Sequence, residues 1–73
     1  MVHDSMAEGQ TTAQRQLAES VRQACIAAAL NAYETARIDG LCHEGAWECA
    51  MGAIRAIDLS AVVQQAALVA LNH

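Results

Sequence analysis

Between Thr12 and Asp39 the apolar residues Leu17, Val21, Cys25, Ala28, Ala32 and Ala36 recur every three or four positions. That spacing lines them along one side of a helix. Ile26, Leu30 and Tyr33 widen the stripe on one edge, and Gln16, Ser20, Gln23, Asn31 and Glu34 take the solvent side. Thr11 followed by Gln14 fits a capping box at the start. Gly40 sits where a left-handed residue ends a helix, with Leu41 placed to fold back as the accompanying apolar contact. The pattern predicts one long helix and a local reason for its stop.

A second helix is expected from Cys42 or His43. On its wheel Glu44, Glu48, Arg55 and Asp58 share a narrow polar arc, with Met51 on that arc as an exposed or partner-facing residue. Trp47, Ala50, Ile54 and Ile57 form a bulky flank; Gly45, Ala46, Cys49, Gly52, Ala53 and Ala56 form a small one. Such a helix suits two neighbours, one at close range. Ser60 reads as the N-cap of a third helix, about Ala61 to Leu71. Its sequence, "AVVQQAALVALNH", is uncharged before its end, and only Gln64 and Gln65 are polar in its body. A helix apolar nearly all round has to be buried on most faces, and two helices of the same short chain cannot cover it.

The expected fold is therefore a small all-α, three-helix domain over residues 11–73, with a long helix, a medium helix and a short apolar C-terminal helix. Residues 1–10 are polar and irregular and are expected to be a disordered tail. Two copies are expected to pair into a dimeric helical bundle.

Composition sharpens this picture. Of the 73 residues, 55% are hydrophobic, but much of that is alanine; Phe is absent, and Tyr33 and Trp47 are the only aromatics. Alanine removes little area from water, so the apolar fraction overstates the core. Small domains with thin cores usually need a staple or a second subunit. The lack of proline suits helices throughout.

A net charge of −4, with no run of Lys or Arg, disfavours nucleic acid. A helix-turn-helix around Asp58-Leu59-Ser60 would present two glutamines and no basic donor to a major groove. No stretch reaches the roughly 18 apolar residues of a membrane span. The opening MVHDSMAEGQ lacks the apolar segment of a secretory signal. A reducing cytoplasm is the expected location.

The stretch "GLCHEGAWEC", residues 40–49, gathers two of the three cysteines, a histidine and the tryptophan. On one helix Cys42 and Cys49 lie two turns apart, about 10 Å along the axis. Disulfides need Cα atoms within about 7 Å, and zinc binds thiolates at about 2.3 Å. One chain therefore offers no metal site here, and no cofactor is expected. A symmetric pair of chains can still bring Cys42 and His43 together, which keeps a metal or redox reading open.

Cys25 and Cys49 are expected as small core residues. Cys42, at a helix N-terminus, is the candidate reactive thiol. Glu44 and Glu48 read as a solvated face favoured by the helix dipole; without a neighbouring nucleophile or base, no catalytic residue and no enzymatic activity are expected. His3 and His73 carry no readable role.

The segment "GLCHEGAWECAMGAIRAIDL", with "VRQACIAAALNAYETA" upstream, resembles a segment of short bacterial helical proteins, some labelled acetyltransferase. The resemblance spans Val21 to Leu59 and attaches a role to no residue. An acetyltransferase of the usual kind needs a pocket and a pyrophosphate-binding loop, which this glycine pattern does not supply.

The leading expectation is a non-enzymatic homo-oligomeric interaction protein: an adaptor, regulator or accessory subunit, with a dimer favoured and a further protein partner allowed. Its interface is expected at Trp47, Met51, Ile54, Val62, Val63, Leu68, Val69 and Leu71. Tryptophan is a frequent interface anchor, and the rest follows from the uncovered third helix. The alternatives are a thiol-based metal or redox accessory protein using Cys42 and His43 across subunits, and a carrier of a small apolar ligand.

Overall fold

The structure, a computed structural model, describes residues 12–71. They form three helices, α1 (Thr12–Ile38), α2 (His43–Arg55) and α3 (Leu59–Leu71), with no strand among the described residues. The expected tail over residues 1–10 and Thr11 of the capping box lie outside them.

The turn after α1 is built as the glycine required. Gly40 adopts φ +95°, its N–H donates to the Arg37 carbonyl at 3.0 Å, and the Leu41 N–H donates to the Ala36 carbonyl at 2.9 Å. These two bonds satisfy carbonyls that the helix end would otherwise leave unpaired. The Arg37 guanidinium adds a bond to the Leu41 carbonyl at 3.1 Å. Leu41 then lies over Gly45, its Cδ2 3.4 Å from where a β-carbon would stand. Cys42 caps α2 with extended backbone, its carbonyl accepting the Ala46 N–H at 2.9 Å, while its side chain makes no capping bond.

So tight a turn folds α2 back along the C-terminal half of α1. The seam between them is alanine: Ala36, Ala46 and Ala50 are the buried hydrophobic residues among those described, with Ala46 at 0% exposure. Methyl groups at the crossing let the two axes come close. They also leave the interior thin, and no large side chain among the described residues is fully buried.

The α2–α3 junction departs from the sequence reading. Its cap is Asp58, not Ser60. The Asp58 carboxylate accepts the Ala61 N–H at 3.2 Å, and its carbonyl accepts the Val62 N–H at 3.2 Å. Either residue type can cap, but a carboxylate also favours the positive helix end. The helix therefore starts at Leu59 and carries Ser60 inside its first turn.

α3 is bent by 63° from α2 and packs on α1, making no contact with α2. α1 thus serves both partners. Its C-terminal half carries the half-buried Cys25, Ala29 and Ala32 and the buried Ala36 at helical spacing, and its N-terminal half presents the half-buried Leu17, Ser20 and Ala24 opposite α3. The molecule is only 16 Å through its thinnest dimension, little more than one helix diameter. Among the described residues no single helix is long and apolar enough to cross a membrane; α2 and α3 pass that test only as a bent pair.

Candidate functional site

Three surface features stand out. The first lies at the start of α2, where His43 Nδ1 is 2.7 Å from Tyr33 Oη. The rings meet edge to face with centroids 5.6 Å apart. Ile26, Leu30 and Tyr33 follow one another at helical spacing on α1, as His43 and Trp47 do on α2. The Tyr33–His43 contact therefore fixes both stripes to one side of the hairpin. That side leaves Trp47 57% and Leu30 57% exposed, with Ile26 beside them. Ile26 and Leu30, expected to broaden the buried stripe, lie instead on this open face, because the alanine seam draws α2 to the neighbouring side of α1.

His43, Glu44, Trp47 and Glu48 line a shallow depression of about 390 Å³ on the same surface. Glu44 and Glu48 are exposed, and no group of three or more His, Cys, Asp or Glu side chains converges among the described residues. Cys42 is exposed beside His43, and among the described residues of one chain no third donor joins the two.

The second feature is a groove of about 880 Å³ between the N-terminal half of α1 and α3. Its walls are mainly apolar and small, with Leu17 and Ala24 on α1 facing Val62, Ala66, Ala67 and Val69 on α3. Gln16, Ser20, Gln23 and Gln65 also line it; Gln16 and Gln23 are exposed, as their polarity implied, while Ser20 is half-buried. Glu19 at the groove is engaged by its own helix, accepting from Gln23 Nε2 at 2.9 Å and pairing with Arg22 at 3.1 Å.

The third feature is the outer surface of α3 itself. Val63, Leu68 and Val69 are exposed, Leu71 reaches 80% exposure, and Val62 is half-buried against α1. Met51 and Ile54 are half-buried on α2, so Met51 is more sheltered than its place on the polar arc implied. The predicted interface residues are thus split between the hairpin face and α3 rather than gathered in one patch.

Cys49 requires a correction. Expected in the core, it is exposed, while Cys25 is half-buried. The buried stripe of α2 runs through Ala46 and Ala50, and Cys49 falls to the side of it. The groove wall on α1 is what sequence reasoning missed. The available signal was the apolar stripe itself, which drifts round α1 from Ala36 to Leu17.

The chain matches no protein-family model, and it matches neither a curated protein nor a solved structure.

Proposed function

We propose that the chain is a non-enzymatic interaction protein that works as a homo-oligomer, a dimer being the simplest form, in an adaptor, regulatory or accessory role. One observation carries the reading: among the described residues the buried core is three alanines, while ten large apolar side chains are exposed.

Magnitudes support this reading. Fully burying a Leu, Ile or Val side chain stabilises by about 1.5–3 kcal/mol. Ten side chains, each about half exposed, therefore leave on the order of 10 kcal/mol unrealised. That rivals the whole stability of a domain this size, roughly 4–11 kcal/mol. Association itself costs several kcal/mol, and this reserve is large enough to offset it. The uncharged body of α3 adds no repulsion between copies, despite the net charge of −4. A reducing cytoplasm suits the three unpaired cysteines.

Sedimentation velocity over roughly 1–100 μM tests the reading. A dimer or larger species is expected; a folded, monodisperse monomer across that range rejects it. The groove favours a second reading, a carrier of a small apolar ligand, because about 880 Å³ lies within the usual size of ligand pockets. Native mass spectrometry decides it: a co-purified small molecule on a monomer supports the carrier, and bare protein opposes it.

A further inference from the structure

We infer that the groove between α1 and α3 is filled by α3 of a second copy, each chain keeping its own α3 in place and docking it in the other's groove. This rests on the homo-oligomer reading and names the surface that does the pairing.

Size is the first argument. A helix about 10 Å across, rising 1.5 Å per residue, fills a groove of about 880 Å³ with roughly two turns. The 13 residues of α3 supply that length with some to spare. Chemistry is the second. The groove walls are mainly alanine, valine and leucine, with the uncharged Gln16, Ser20, Gln23 and Gln65 among them, and Glu19, their one charged residue, is already held by Arg22 and Gln23. α3 carries no charge and has no covering for Leu68 and Leu71. Groove and helix match in what they lack.

A small ligand is the weaker occupant. Such pockets enclose a few polar groups that orient their guest, whereas the polar residues of this groove, Gln16, Glu19, Gln23 and Gln65, are exposed and only Ser20 is half-buried. Area is the third argument. Five of the ten exposed large apolar residues, Leu59, Val63, Leu68, Val69 and Leu71, lie on α3 itself, and seating α3 in a partner's groove covers them twice over, once in each copy, towards the roughly 800 Å² per partner of a standard interface. Because α3 is both the wall of one groove and the occupant of the other, a two-fold axis satisfies both copies at once. The result is a bundle of two α1 and two α3 helices, with α2 clasping each outer end.

Two measurements on the full chain test this. In sedimentation, Ala67→Glu places a charge on the groove wall at an exposed helical site, where helix content by circular dichroism is expected to persist. It should weaken dimerisation by at least about 100-fold, a buried unpaired charge being costly, whereas Trp47→Ala should leave the dimer intact. A dimer that survives Ala67→Glu overturns this docking. If that same dimer is lost in Trp47→Ala, pairing occurs through the hairpin face and the homo-oligomer reading survives alone.

Isotope-filtered NMR on a mixture of labelled and unlabelled wild-type protein needs no variant. Contacts from Leu68 and Leu71 methyls of one chain to Gln16, Ser20 or Gln23 of another support the inference. A wild-type dimer without them overturns it, and a wild-type monomer overturns both proposals.

Discussion

Tyr33 and His43, ten positions apart, are joined by a 2.7 Å bond between Tyr33 Oη and His43 Nδ1. The bond ties the body of α1 to the first residue of α2 and fixes which side of the hairpin carries Trp47. Because the pair is exposed, water competes for it, and a typical net contribution is about 0.5–1.5 kcal/mol. Tyr33→Phe keeps the ring contact and loses the hydroxyl, so its expected cost is near the lower end. In urea denaturation at fixed protein concentration, Tyr33→Phe and His43→Ala should be non-additive in the double variant by about 0.5 kcal/mol or more. Additive losses would mean that the contact does not hold the hairpin.

The α1–α2 seam predicts opposite results for two small residues on the same helix. Ala46 is fully buried, so Ala46→Leu forces the helices apart and should cost about 1–3 kcal/mol. Gly52 has open space where a β-carbon would go. Gly52→Ala should therefore stabilise by about 0.8–1 kcal/mol through helix propensity alone. Thermal unfolding at one concentration ranks them. A destabilising Gly52→Ala would show that something outside the chain comes close there.

The junction at residue 58 makes a third prediction. Asp58→Ala removes the bond to the Ala61 N–H and should cost about 1 kcal/mol. Ser60→Ala, inside the first turn of α3, should change stability by less than about 0.5 kcal/mol. If the two effects are reversed, α3 begins later than Leu59.

The three-helix order and the Gly40 turn were legible in the chain because both rest on local rules: a 3.6-residue period and a left-handed glycine. The cap of α3 was not, since Asp58 and Ser60 are both good caps and only the path of the chain chooses between them. The burial of individual residues was least legible. Wheel arithmetic centred the stripe of α1 on Leu17, Cys25 and Ala36, yet α2 and α3 approach α1 from different sides. Ser20 consequently turns towards the groove, while Ile26 and Leu30 are left open. Alanine is the reason the wheel failed. Where every flank carries methyl groups, hydrophobicity barely distinguishes the packed side from its neighbours, so a few tens of degrees decide which large residues remain wet. The apolar excess of α3 did follow from the sequence, because the other two helices of so short a chain cannot cover a helix that is apolar nearly all round.

Thiol reactivity probes these surfaces without altering the chain. Cys42 and Cys49 are exposed and Cys25 is half-buried in α1. Neither exposed cysteine lines the α1–α3 groove, so filling that groove should leave both open to a disulfide reagent. Titration of the native protein should show two fast thiols and one slower by at least about tenfold, the third waiting on local opening of the α1–α2 seam. Cys42→Ser and Cys49→Ser should each remove one fast equivalent, and urea should bring the remaining thiols to one rate. Three fast thiols would mean that α2 does not shelter Cys25. A single fast thiol restored to two on dilution would place Cys42 or Cys49 beneath a partner chain, moving the contact from the groove to the flank of α2.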